Sequence, residues 1–189
     1  MQRQSADPVS DPTDPADDTA LRAALKSQYR AGLAMLREAI ERCPDALWTD
    51  AGHKNAFWQV AYHVLFFTHL YLQPREVGFV PWAGHRSKVQ HPDGIAGDPD
   101  PDSDVPLVPE PYSRSQVLAY WDHCDDNVDA WVDALDLGSP ESGFYWYPIS
   151  KLEHQLVNIR HLQHHAAQLA DRLRHAEGIG IRWVGAGRG

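Results

Sequence analysis

The sequence is poor in basic residues, with 17 lysines and arginines against 26 aspartates and glutamates, and its formal net charge is −9. Proteins that hold a nucleic-acid backbone use clusters of lysine and arginine to neutralise its phosphates. The charge balance therefore argues against such clusters, and we expect no nucleic-acid partner.

Cysteine is also scarce. Cys43 and Cys124 are the only two, and each falls inside a predicted helix, so nothing indicates a disulfide framework. The first residues contain no apolar run that would serve as the core of a signal peptide. Both observations favour a reducing compartment, and the sequence predicts a cytoplasmic protein.

Long apolar runs are missing as well. A helix that spans a bilayer needs about 20 consecutive apolar residues. The longest apolar block, residues 60–72, is interrupted by His63, Thr68 and His69. We therefore expect this block to form a buried helix, and we expect no membrane partner.

The composition that remains is that of a globular protein. Hydrophobic residues make up 43% of the 189 residues, and seven of them are tryptophan. Residues 1–18 are rich in aspartate and proline and predict a disordered acidic tail, because they bury too little apolar area to offset their ordering entropy. We expect one domain over residues 19–184 and a flexible tail over residues 185–189.

Apolar residues recur at steps of three and four in four segments of the chain, which indicates four helices. These predicted helices span residues 19–43, 54–72, 113–137 and 150–176. Helix-breaking residues follow them, namely Pro44, Pro74, Gly138 and Gly178. The sequence therefore predicts an all-α fold, a four-helix bundle with a long connection between helices 2 and 3.

That connection, residues 74–112, has no helical period and contains eight prolines, so we expect a long structured loop or a lid. The aspartates from Asp98 to Asp104 have the alternating spacing of a calcium-binding loop. Prolines intervene between them, however, Ser103 replaces the required glycine, and Pro109 stands where the bidentate acid belongs. We interpret this segment as a solvated acidic loop.

The fourth predicted helix carries two histidines, His161 and His165, that lie one turn apart on the same side. They belong to a polar stripe that is either a solvated face or the wall of a polar pocket. Two histidines are too few for a firm metal site. The best third candidate is His63, because an imidazole in the apolar second helix needs a hydrogen bond or a metal ion. The polar stripe consists of His154, Asn158, His161, His165, Gln168 and Arg172.

These residues carry a family resemblance. With Trp58 and His63 in the second predicted helix, and with the segment from His161 to Leu169 in the fourth, the sequence resembles the DinB-like family of metal-binding four-helix bundles. The match is imperfect, because Ala167 stands where that family often has glycine. A neighbouring branch of mycothiol-dependent isomerases tends to have glutamate at the position of His161, so this sequence is more similar to the three-histidine branch.

The resemblance implies that His63, His161 and His165 bind a divalent metal ion, with zinc or nickel the best suited to three imidazoles. It also implies a metal-dependent enzyme, such as a transferase that joins a low-molecular-weight thiol to small electrophiles, and a homodimer is a further expectation. Two alternatives stay open, a metallohydrolase and a non-catalytic bundle in which the metal joins two helices. No catalytic residue is assigned.

Several further residues are candidates for supporting roles. Glu153 and His154 are substitute ligands should one of the three histidines point away. Ligating histidines normally donate their second ring nitrogen to an acceptor. The candidates for that acceptor are Asn158, Gln28, Gln168 and the carboxylates of the third predicted helix. The aromatic residues 144–147 either line a pocket or belong to the core.

Overall fold

A computed structural model of the protein describes residues 15–91 and 110–187. Four long helices pack as a bundle, and a single short helix precedes the second of them, so the predicted all-α fold is confirmed. The four predicted helices correspond to α1, α3, α4 and α5. The helices are α1 (Pro15–Arg42), α2 (Asp45–Trp48), α3 (Phe57–Tyr71), α4 (Arg114–Ala134) and α5 (Lys151–Glu177).

Each long helix packs mainly against two others, because α1 and α3 both contact α4 and α5. Helices α3 and α5 run antiparallel. In contrast, α3 and α4 run parallel, since Tyr62 packs on Tyr120 and the Cys124 thiol donates to the Leu65 carbonyl further along both helices. A chain that joins parallel neighbours must return along the length of the bundle. This requirement explains the long connection between α3 and α4.

Helix α3 is the most deeply buried element, with twelve of its 15 residues buried. Its largest fully buried side chains are those of Trp58, Tyr62 and Phe57, and Tyr62 lies between Tyr112 and Tyr120. Full burial of a large apolar side chain contributes about 1.5–3 kcal/mol. The apolar composition of α3 therefore places it inside the bundle, where any polar side chain that it carries faces another helix or a loop.

Local signals fix the ends of α4 and α5. Ser113 accepts a hydrogen bond from the backbone nitrogen of Gln116, and Ser150 accepts one from that of Glu153, so both serines cap their helices. Gly178 follows α5 with a φ of 67°, a conformation that favours glycine. The caps at Ser150 and Gly178 set where α5 begins and ends, and thereby the position of its histidines along the bundle axis.

The helix ends differ from expectation by three residues or more in three places. Helix α1 begins at Pro15 rather than at residue 19, and Asp18 in its first turn forms an ion pair with Arg22 at 2.7 Å. Helix α3 begins at Phe57 rather than at residue 54. Helix α4 ends at Ala134, three residues before the predicted end at residue 137. The backbone nitrogen of Leu135 then bonds the Val132 carbonyl, which closes the last turn early.

The described part of the chain ends at residue 187, against α1. The backbone nitrogen of Gly187 donates to the Ser27 carbonyl at 2.9 Å, and the Gln28 amide donates to the Gly185 carbonyl. Gly185 and Gly187 therefore have hydrogen-bond partners on α1.

Two predicted segments fall wholly or partly outside the described residues. They are the acidic tail predicted over residues 1–18, of which residues 1–14 are not described, and the acidic loop from Asp98 to Asp104. The domain limits stay a prediction. None of the described helices combines the length and apolarity that crossing a bilayer requires.

Lys151 joins three segments at the start of α5. Its side chain is buried, and its Nζ donates to the carbonyls of Gln73, Pro74 and Ser142. Burial lowers the pKa of Lys151 to about 8. One side chain therefore holds the end of α3 and the connection before α5 at a fixed position relative to α5.

We predict that Lys151→Met lowers the free energy of unfolding by about 1–3 kcal/mol, because it leaves buried carbonyls without their donor. Urea unfolding followed by circular dichroism measures this loss. The matched control is Lys26→Met, which removes an ion pair to Asp133 on the surface and should cost less than about 1 kcal/mol. Equal losses in the two variants would contradict the role given to Lys151.

Candidate metal centre

Three histidines converge between α3 and α5. His161 and His165 lie one turn apart on α5, and His63 on α3 lies opposite both of them. One nitrogen from each ring lies within 4.8 Å of the others, and the two Nε2 atoms of His63 and His161 are 3.1 Å apart. Among the described residues, no other group of three or more potential metal ligands lies so close together. The structure therefore brings together the three histidines that the sequence singled out.

The rings of His63 and His165 are held through their Nδ1 atoms. His63 Nδ1 lies 2.7 Å from the Gln90 carbonyl oxygen, and His165 Nδ1 lies 3.0 Å from Gln168 Oε1. Because an oxygen of this kind only accepts, each Nδ1 carries the proton and donates it. Each Nε2 is then the unprotonated nitrogen, the one that can bind a metal ion. This is the arrangement in which an outer acceptor fixes the tautomer of a metal-binding histidine.

His161 is kept neutral by its surroundings. Burial, together with the neighbouring His165 and His63, lowers its pKa to about 3. A neutral histidine binds a metal ion without releasing a proton to the solvent. The neutral state of His161 and the two fixed tautomers fit a divalent ion, and three imidazole nitrogens suit zinc or nickel.

The centre is partly accessible, because all three histidines are half-buried. Structural zinc sites are closed by four protein ligands, whereas catalytic sites have three and leave a position for water or substrate. In the part of the chain that the structure describes, three potential ligands converge here. The donor set is therefore that of an open site.

The polar stripe of α5 faces inward, toward α3. His154 and Asn158 are fully buried, and Arg172 is 9% exposed and donates to the Asn55 carbonyl at the start of α3. By contrast, Leu156 from the apolar side of the predicted helix is 57% exposed. The solvated face is therefore the wrong interpretation for these residues, which lie in the contact between α5 and α3.

The other candidate residues lie elsewhere. His154 packs against the rings of Tyr71, Phe144 and Tyr147, and Glu153 is exposed, so neither replaces one of the three histidines. Gln168 is an outer acceptor, as expected, but Gln28 bonds Gly185 instead. The carboxylates of α4 form ion pairs with α1 rather than with the centre. These carboxylates are those of Asp122, Asp125, Asp129 and Asp133.

Gln90 was not a candidate from the sequence. Its contribution is a backbone carbonyl, which any residue would supply, so no sequence signal marks it. It belongs to the long connection after α3, and its neighbour Val89 is 4% exposed. The described part of that connection thus contributes an outer acceptor to the centre.

The aromatic residues 144–147 lie at a different place. Phe144, Tyr145 and Tyr147 line a surface groove of about 550 Å³, together with Arg75 and Val77. The groove lies beside the start of α5, and His161 is ten residues further along that helix, which is about 15 Å. These aromatic residues therefore line a groove, but they do not line the histidine centre.

Comparison with known proteins gives a family match. The model of the DinB superfamily matches residues 28–169, which is more than half of the chain and includes all three histidines. No curated protein and no solved structure matches the chain. The family assignment therefore has support that is independent of the geometry above.

We predict that the purified wild-type protein carries about one zinc or nickel ion per chain and that His161→Ala loses it, because two imidazoles are too few to hold the ion. Inductively coupled plasma mass spectrometry measures the metal content. The matched control is His164→Ala, which removes the exposed neighbouring histidine and should leave the metal content unchanged. Equal metal in wild type and His161→Ala would show that the ion binds elsewhere.

Proposed function

The chain belongs to the DinB superfamily, and from this membership and the histidine centre we propose that it is a metal-dependent transferase that joins a low-molecular-weight thiol to small electrophiles. The observation that carries the proposal is the convergence of three half-buried histidines with no fourth potential ligand beside them among the described residues. A site meant only to join helices would be closed by a fourth ligand.

The residues of the centre have two tasks under this proposal. His63, His161 and His165 hold the ion, and the Gln90 carbonyl and Gln168 keep two of the rings in the required orientation. A zinc or nickel ion held there would keep a bound thiol as its thiolate, ready to attack. Because all three side chains are neutral when they bind the ion, they present no negative charge that would repel an anionic co-substrate.

The proposed substrates follow from this chemistry. The co-substrate is a small thiol, such as bacillithiol or mycothiol, and the acceptor is a small molecule with an electrophilic carbon. The half-buried position of the histidines supports a small ligand rather than a macromolecular one. We further propose a homodimer in the cytoplasm.

Two other functions use the same centre. A metallohydrolase would activate water instead of a thiol, and a non-catalytic protein would use the ion to join α3 to α5. The partial exposure of the histidines favours either enzyme over the non-catalytic role. Thiol dependence then separates the transferase from the hydrolase.

We predict that the metal-loaded protein consumes a low-molecular-weight thiol together with chlorodinitrobenzene, because the metal raises the fraction of reactive thiolate. The thioether product is followed by its absorbance across a panel of thiols. The rate should fall to background in His161→Ala and in chelator-treated wild type, and it should persist in His164→Ala. If the metal-loaded protein consumes no thiol, the proposed transferase function is wrong. Hydrolysis of esters in the absence of thiol would instead favour the metallohydrolase.

A further inference from the structure

Several buried polar atoms without partners among the described residues follow one another between α3 and α5. We name this line the α3–α5 seam and define it by Thr68, His154 and Asn158, all three of which are fully buried. Thr68 Oγ1, Asn158 Oδ1 and both ring nitrogens of His154 have no hydrogen-bond partner among the described residues, and neither has Nδ1 of His161 at the end of the seam. In native proteins the large majority of such atoms are paired, with protein or with ordered water.

Neighbouring protein groups are already engaged with other partners. The Asn158 amide nitrogen donates to the Thr68 carbonyl at 3.2 Å, which fixes the orientation of that amide. The Tyr29 hydroxyl lies beside Asn158, but its single proton is donated to Gln155 Oε1 at 2.8 Å. The Gln155 amide nitrogen in turn donates to the Tyr71 carbonyl. These bonds leave Asn158 Oδ1 without a protein donor.

His154 has the strongest need for a partner. Its ring is surrounded by the aromatic rings of Tyr71, Phe144 and Tyr147, with centroids at 4.7, 4.8 and 5.1 Å. A neutral imidazole has one donor and one acceptor nitrogen, and burial of both without partners is costly. The partner of His154 must be able to accept a hydrogen bond and to donate one.

We propose that the α3–α5 seam binds a row of internal water molecules, and that the water nearest to the metal centre pairs His161 Nδ1 with Asn158 Oδ1. The spacing suits water. His161 and Asn158 are three residues apart, and Asn158 and His154 are four apart, which correspond to about 4.5 and 6 Å along the helix. One water bonded to both sides bridges about 5.6 Å.

Water also suits both hydrogen-bonding states of His161 Nδ1, which accepts in one state and donates in the other. His63 Nδ1 donates to the Gln90 carbonyl, so His63 Nε2 accepts, and His161 Nε2 at 3.1 Å must then be the donor. In that state His161 Nδ1 is an acceptor. When His161 Nε2 binds an ion, the proton lies on Nδ1, which becomes a donor. A carbonyl would serve one of these states, whereas water serves both.

Asn158 is therefore a positioning residue for His161. Gln90 is the hydrogen-bond partner of His63 Nδ1, and Gln168 is that of His165 Nδ1. A water in the seam would be the corresponding partner of His161 Nδ1. This pairing rests on the proposed metal centre. The waters at Thr68 and His154 do not depend on it, because the orphaned atoms of those two residues need partners in any state of the protein.

Zinc affinity tests the pairing of His161. Chelator competition on the full-length protein should show that Asn158→Leu weakens zinc binding about tenfold, the effect of losing an outer partner. Asn158→Asp keeps an acceptor oxygen and should restore most of the affinity. The matched control is Gln155→Leu, because Gln155 is equally buried but bonds Tyr29 and Tyr71 instead. Unchanged affinity in a folded Asn158→Leu, or an equal loss in Gln155→Leu, overturns the pairing.

Thr68→Val tests the waters without reference to metal. The substitution keeps the shape of the side chain and removes the unpaired hydroxyl. If the hydroxyl binds water, the equilibrium constant of unfolding rises about fivefold in the metal-free protein. An unchanged or lower constant would mean that the seam is dry, since removing an unpaired buried hydroxyl is neutral or stabilising, and would overturn the proposal.

A high-resolution crystal structure of the wild-type protein gives the direct test. Ordered water within hydrogen-bond distance of Asn158 Oδ1 and of a ring nitrogen of His154 supports the proposal, and protein atoms in those positions overturn it. The two proposals fail separately. Suppose that the wild-type protein binds no zinc but shows these waters and the Thr68→Val effect. That result would overturn the proposed transferase function and the pairing of His161, but it would still support water in the seam.

Discussion

The structure depends on the antiparallel contact between α3 and α5. The same register holds along both helices, from Asn55 beside Arg172 at one end to Pro74 beside Lys151 at the other. His63 lies opposite His161 and His165 only in this register. A shift of one helical turn, about 5.4 Å, would separate the imidazoles by more than a shared ion allows. The candidate metal centre is thus a consequence of how two helices are aligned.

The inner face of α5 imposes a constraint of its own. It carries histidines, an asparagine and an arginine where a bundle helix usually has apolar residues, and each buried polar group needs a partner. Several of these groups donate to backbone carbonyls of α3 or beside its ends: Arg172 to Asn55, Asn158 to Thr68, and Lys151 to Pro74. These hydrogen bonds satisfy part of the buried polar face and also fix the register that the histidines require.

Much of the fold and the identity of the three histidines were predictable, because both have local signals in the sequence. The helical period, Pro44 and the serine cap at residue 150 mark the helices, and an imidazole within an apolar helix marks His63. The direction of the polar stripe was not predictable, since a helical wheel gives angles between residues but not the side that faces a neighbour. Leu156 illustrates this limit, because it belongs to the apolar side of the helical wheel and yet is exposed to solvent. The Gln90 carbonyl was not predictable either, because its role depends on where the backbone lies.

The three imidazoles are held by different parts of the molecule, so metal binding at this centre would also affect the stability of the fold. The ring nitrogens of His63 and His165 that face away from the centre are bonded to a loop carbonyl and to a side chain of α5. The outer nitrogen of the His161 ring, Nδ1, is buried and has no hydrogen-bond partner among the described residues. The position of each imidazole is therefore set by a different part of the molecule: the connection after α3, the helix α5 itself, and the packing of α3 on α5. An ion bound by all three would link these parts and stabilise the folded state by its binding free energy. Because three donors would leave a coordination position unfilled, that stabilisation would not require closure of the site.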